Sequence, residues 1–262
     1  MKKHTSLKKL LALSCTAAFA LSLAACSSGG EAPGESTAVN TSSAESGGGQ
    51  TTYKVAVVKQ MDHASLDEIA AAITARLDEI AAEEGVTIEY EVQSGQNDPT
   101  TLRQIGDQAI VDGVDAIIPI ATTAAQVMTV CAEETQTPVI YAAISDPATA
   151  QLTGIDYVTG TSDALDTGLI MDMMLAQGPE IQKVGLLYSL SEPNSTTPIA
   201  DAKAYLDEKG IAYTEATGNT NDEVVAAAAS LIAEGVDAVF TPTDNIVMAA
   251  ELAIYQDFID AG

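Results

Sequence analysis

The side chains able to do chemistry in this chain are short, and they gather in loops that follow apolar runs. Gln60, Met61, Asp62, His63 and Ser65 follow Lys54–Val58, Thr122 and Thr123 follow Ala116–Ile120, and Ser145 and Asp146 follow Val139–Ala142. In the second half, Ser191, Glu192, Asn194 and Ser195 follow Lys183–Tyr188, and Thr243, Asp244 and Asn245 follow Ala238–Phe240. Hydroxyls, amides and carboxylates of this kind suit non-covalent recognition. Several stand where a helix would begin, and a helix N-terminus offers unpaired N–H groups and partial positive charge to an anion such as a carboxylate. Asp146 or Asp244 could face an ammonium group. A zwitterion of the amino-acid type suits that mixture. The candidate ligand-binding set is therefore Gln60, Met61, His63, Thr122, Thr123, Ser145, Asp146, Ser191, Asn194, Ser195, Thr243, Asp244 and Asn245. Each has a structural alternative: Thr122, Thr123 and Asp244 as helix caps, Met61 as core, His63 as an exposed loop residue.

Signatures of catalysis are missing. The chain has no Gly-x-Ser-x-Gly elbow, no phosphate-binding loop, no His-Glu-x-x-His and no Cys-x-x-Cys. Beyond the first nine residues it has a single histidine, His63, and no nucleophile marked by its context. Arg76 and Arg103 fall on expected helix bodies. The expectation is a binding protein rather than an enzyme, with no catalytic residue, no cofactor and no metal. With 37 acidic against 11 basic residues the net charge is −26. Nucleic acid needs clustered Lys and Arg, so it is excluded as a partner.

Lys2, Lys3, Lys8 and Lys9 precede an uncharged apolar run, Leu10–Ala25. A basic start, an apolar core too short to span a bilayer comfortably and small residues at its end read as a signal peptide over residues 1–25. Residues 26–52, rich in Ser, Gly, Thr and Glu, cannot bury enough apolar surface to fold and read as a flexible tether. Of the three cysteines, Cys15 leaves with the signal, and Cys131 is expected as a small buried residue on a helix.

Such loops need a scaffold that brings strand ends together. From Tyr53 onwards, short β-branched runs alternate with helical periodicity. Leu66, Ile69, Ile73, Leu77 and Ile80 mark a helix ending near Gly85; Asp98-Pro99 marks the start of another; Thr123–Glu134 marks a third. The order then repeats. Asp112-Gly-Val-Asp-Ala116 returns as Glu234-Gly-Val-Asp-Ala238, with Gly113 and Gly235 lying 122 residues apart. That spacing is too long for a solenoid repeat. The fold class expected is α/β, two similar doubly wound parallel-sheet lobes covering residues 53–160 and 161–262. A hinge at Thr159–Asp163 joins them, and Asp163 is expected to cap a helix over Ala164–Ala176. Ile140 has no counterpart before Gly262, so the second lobe is expected to be incomplete, as in a chain truncated at its C-terminus. In open α/β sheets ligands sit beyond the carboxyl ends of the strands, which is where the loop residues above lie.

The segments His63-Ala-Ser-Leu-Asp67, Ala121-Thr-Thr-Ala-Ala-Gln126, Ser145-Asp-Pro147, Thr159-Gly-Thr-Ser-Asp163, Ser191-Glu-Pro-Asn-Ser195 and Thr241-Pro-Thr-Asp-Asn245 together resemble the substrate-binding lipoproteins of ABC transporters of the tryptophan/tyrosine type, with a periplasmic-binding-protein type I-like fold. Leu23-Ala-Ala-Cys26 likewise resembles a bacterial lipobox, which implies a diacylglyceryl lipid on Cys26 and a location on the outer face of the cytoplasmic membrane. The resemblance implies a hinge-closing protein that delivers an amino acid, often aromatic, to a membrane permease. Two alternatives stand beside it: a sugar or nucleoside receptor of the same fold, and a surface hydrolase. Sugar sites favour aromatic platforms, and this chain has no Trp and three Phe.

Overall fold

The computed structural model describes residues 51–178 and 180–262. The signal segment, the lipid site Cys26 and nearly all of the tether lie outside the described residues.

Two separate parallel sheets form the body. The first has five strands: β1 (Thr52–Lys59), β2 (Thr87–Ser94), β3 (Ala116–Ile120), β4 (Val139–Ile144) and β5 (Val158–Ser162), in the order β2-β1-β3-β4-β5. The second has three: β6 (Lys183–Tyr188), β7 (Ala212–Thr217) and β8 (Ala238–Phe240), in the order β7-β6-β8. The first three strands of each sheet are thus arranged alike, as the repeat requires. β5 runs through Ser162, so the first sheet reaches two residues past the boundary expected at 160.

Helices cover both faces of each sheet. In the first lobe these are α1 (Ala64–Glu84), α2 (Pro99–Val111) and α3 (Thr122–Ala132). Successive β1 residues point to opposite faces. Val55 and Val57 pack with Leu66 and Ala70 of α1, while Ala56 and Val58 pack with Leu102 of α2 and Met128 of α3. A strand clothed on both sides reads as a continuous apolar run, which explains Val55–Val58. In the second lobe α4 (Thr167–Gln177) and α5 (Thr196–Lys209) lie on one face, around Val184 and Leu186. The other face carries α6 (Asn221–Ala233) and α7 (Asn245–Ala261), around Leu187.

The repeated Gly-Val-Asp-Ala does the same work twice. Gly113 and Gly235 take left-handed backbone, φ 66° and 67°, after α2 and α6. The aspartate two residues on then reaches the first strand of its sheet. Asp115 accepts from the Lys54 N–H at 2.8 Å, and Asp237 accepts from the Gln182 and Lys183 N–H groups at 2.9 Å. Those donors hold the Asp237 carboxyl below its usual range.

Cys131 is buried on α3, as expected. A Cβ on Gly106 of α2 would fall 2.4 Å from its Sγ, so the two helices meet there at close range. Burial pushes its thiol up to about 11. The helix after the hinge differs from expectation. It starts at Thr167, and its cap is Asp166, which accepts from Leu169 N–H at 3.0 Å. Asp163 lies one turn too early to cap it.

Candidate functional site

The carboxyl ends of β1, β3 and β4 face those of β6 and β8, and a cavity of about 100 Å³ lies between the lobes. Six of the thirteen candidates line it: His63, Thr122, Ser145, Asn194, Thr243 and Asn245. Leu66, Ile69 and Met248 supply an apolar wall, and Asp163 supplies a carboxylate.

Each polar group has a defined state. His63 caps α1: its Nδ1 accepts from Ser65 N–H at 3.2 Å, which leaves the ring proton on Nε2. Thr122 is buried at the first position of α3. Ser145 Oγ donates to Asp163 Oδ1 at 3.3 Å and lies 3.2 Å from Thr243 Oγ1 across the lobe boundary. Asn194 is 6 % exposed, and its Nδ2 donates to the Thr243 carbonyl at 2.6 Å. Its Oδ1 is a buried acceptor with no partner. A buried, unpaired amide oxygen costs free energy unless something donates to it.

Two alanines shape the first-lobe side. Ala121, before α3, has φ 75° and ψ 163°, and Ala143, at the irregular end of β4, has φ 57°. Both line the cavity. The region Ala121 occupies is nearly glycine-only, and such strain gathers at ligand sites. With Ala at the cap position, no side chain of that residue closes the α3 N-terminus.

The other candidates fall elsewhere. Gln60, 1 % exposed, stands behind the cavity, where its Oε1 accepts from Thr123 N–H at 3.1 Å. Met61 packs on the α1 side of the first core. Ser191 belongs to a loop network with Ser189 and Asn219. The ammonium partner expected from Asp146 or Asp244 is corrected by their bonding. Asp244, 0 % exposed, accepts from Ser189 N–H, Ser195 Oγ–H, and the Ile246 and Val247 N–H groups. Ser195 is thereby spent on Asp244. Asp146 accepts from Ala148 and Thr149 N–H and from the Thr149 and Thr197 hydroxyls, which hold it below its usual range. The carboxylate on the cavity wall is Asp163, which sequence reasoning assigned to a cap. The spacing Asp163/Asp166 was the available signal: only one of two aspartates three residues apart can cap the same helix.

Among the described residues no group of His, Cys, Asp and Glu is arranged to hold a metal ion, and no helix is long and apolar enough to cross a membrane.

Known proteins share this arrangement. A tyrosine-binding protein of Clostridioides difficile (strain R20291) is 27 % identical over 201 residues, 75 % of this chain and 57 % of the relative. The chain thus spans little more than half the length of that curated relative. The ABC domain from Streptococcus pneumonia, solved in complex with L-Trp, matches with a TM-score of 0.73 at 26 % identity, over 80 % of this chain and 72 % of its own. The ligand-free, open structure of a substrate binding protein from Clostridium difficile matches at 27 % identity over the same shares, with a TM-score of 0.53. The model of the family described as ABC transporter substrate binding protein matches residues 54–259. That match covers both parallel-sheet lobes, and the chain belongs to the family of ABC transporter substrate binding proteins.

Proposed function

We propose that the chain captures a small zwitterion, an aromatic amino acid, in the cavity between its lobes and presents it to an ABC permease from the outer face of the cytoplasmic membrane. The observation that carries this reading is one cavity with both kinds of partner. Asp163 and the unpaired Asn194 Oδ1 can accept from an ammonium group. Thr122 with the N-terminus of α3, and the His63 Nε2–H, can donate to a carboxylate. Leu66, Ile69 and Met248 leave an apolar wall for the side chain.

The cavity, about 100 Å³, is smaller than an engineered one of roughly 150 Å³ that accepts benzene. Entry therefore requires the lobes to part and reclose on the ligand, a hinge motion driven by the ligand's differential affinity for the closed form. The L-Trp complex and the tyrosine-binding relative support the aromatic choice. The sugar alternative is disfavoured, because His63 is the sole aromatic ring on the cavity wall. Residues 1–25 as an export signal and Cys26 as a lipid site fit this role, with the acidic segment after Cys26 as a tether. We place the domain limits at 53–162 and 163–262, since β5 ends at Ser162.

A melting screen tests the reading. A ligand that binds only the folded form raises the transition, by about 2.7 kcal/mol at a hundredfold excess over Kd. L-Trp or L-Tyr should raise it, and their decarboxylated and deaminated analogues should not. A shift with sugars or nucleosides and none with amino acids would select the alternative.

A further inference from the structure

Glu192 lies in the loop after β6 and is 2 % exposed. It does not line the cavity, yet it joins both of its walls. One carboxylate oxygen accepts from Gln60 Nε2 at 2.5 Å, across the lobe boundary, and the other accepts from Asn245 Nδ2 at 2.7 Å. Asn245 is the first residue of α7 and part of the cavity wall. On the other side, Gln60 is fixed as a post. Its N–H donates to the Ile120 carbonyl at 3.1 Å, its carbonyl accepts from Asn97 N–H at 2.9 Å, and its Nε2 also reaches Asn97 Oδ1 at 3.2 Å. Its Oε1 faces the Thr123 N–H of α3, so the amide can present only its NH₂ to Glu192.

We propose that Glu192 is a positioning residue that latches the closed lobes, holding the N-terminus of α3 in register with that of α7 through Gln60 and Asn245. The proposal rests on reading the cavity as the ligand site. Among the described residues two other side-chain bonds cross the boundary outside the hinge, Ser145–Thr243 and Thr197–Asp146, and both are only part-buried. Gln60–Glu192 is the crossing bond with both partners buried. Hydrogen bonds to a charged group are about twice as strong as neutral ones. Parting the lobes must break this bond while leaving Glu192–Asn245 and Gln60–Thr123 intact within their lobes. Its strength therefore belongs to the closed state, and apparent affinity scales with the fraction of molecules that can close.

The test is a reciprocal exchange in the full chain, read by calorimetry with L-Trp and L-Tyr and by the radius of gyration from X-ray scattering. Gln60→Glu sets two carboxylates against each other. It should lower affinity at least about tenfold and enlarge the ligand-free molecule. Adding Glu192→Gln rebuilds the relay with donor and acceptor swapped. The carboxylate now at position 60 accepts from the Thr123 N–H, from the amide now at position 192 and, once the Asn97 amide turns over, from Asn97 Nδ2, and the oxygen of the amide at 192 accepts from Asn245. Both readouts should return close to the original, a rescue that loss of packing could not give. Glu192→Gln alone keeps the volume and serves if Gln60→Glu does not fold. It should weaken binding several-fold, and the loss should be reversed in the pair. A double variant no better than the single ones, or single variants without effect, overturns the latch. Should the unaltered chain bind neither amino acid, the ligand reading falls, while the radius of gyration still decides the latch.

Discussion

Ser145 Oγ donates to the Asp163 carboxylate at 3.3 Å, on the wall of the cavity between the lobes. One residue follows β4 and the other follows β5, so the bond joins the ends of two neighbouring strands of the first sheet. It places a carboxylate exposed to the cavity beside a hydroxyl, three residues from the aspartate that caps α4.

That separation of roles predicts opposite outcomes for two similar substitutions. Asp163→Asn should lower aromatic amino-acid affinity by about 10- to 100-fold, the loss of a charge-assisted bond, with melting little changed. Asp166→Ala should cost about 1 kcal/mol of stability through the lost cap and leave affinity nearly intact. Calorimetry and denaturant unfolding of both variants check this.

Strain at the α3 entrance should be removable. Ala121, at φ 75° and ψ 163°, occupies backbone space that a side chain makes costly. Ala121→Gly should therefore raise stability by about 1 kcal/mol, whereas Ala121→Val should lower it by more. Equilibrium unfolding in urea measures both.

Glu192 gives the protein a pH response of definite sign. Burial raises its carboxyl to about 6, with neighbouring Asp244 adding to the rise and hydrogen bonds from Asn245 and Gln60 opposing it. A folded-state value above the unfolded one means that the folded chain binds the proton more tightly. This contribution is fully present below the ordinary value of 4.5 and is lost as pH rises through 6, about 2 kcal/mol over the whole window. Asp62, Asp146 and Glu215 are lowered and act in the opposite sense, losing stability as pH falls towards their own range. Between pH 5 and 7, Glu192→Gln should flatten the stability profile relative to the unaltered chain. Parallel profiles would show that Glu192 does not titrate there.

The lipid proposed for Cys26 predicts location. Cys26→Ser should move the exported protein from the membrane fraction to the soluble one, and mass spectrometry of the unaltered N-terminus should find a diacylglyceryl group.

Much of the fold was legible because it rests on local signals that agree. Val55–Val58 reads as a buried strand, Asp98-Pro99 as a helix start, and the Gly113 and Gly235 motifs as equivalent corners of two sheets. The cavity was half legible. Loops at strand ends can be located from sequence, which found His63, Thr122, Ser145, Asn194, Thr243 and Asn245. Whether a carboxylate in such a loop turns inward or outward depends on neighbours far away in sequence. Asp244 is consumed by Ser189 and Ser195, about fifty residues before it, and Asp146 by Thr197. Asp163 and Asp166 look alike until the backbone shows which stands one turn before Leu169. The Gln60–Glu192 bond spans 132 residues and carries no local pattern at all.

By the function proposed above, these lobes close on an aromatic amino acid. Calorimetric titration of the purified chain with L-tryptophan and L-tyrosine tests it most directly. Saturable heat with one-to-one stoichiometry for at least one of them, abolished or strongly weakened by Asp163→Asn, is the predicted result. No saturable heat with either would rule out an aromatic amino acid as the ligand.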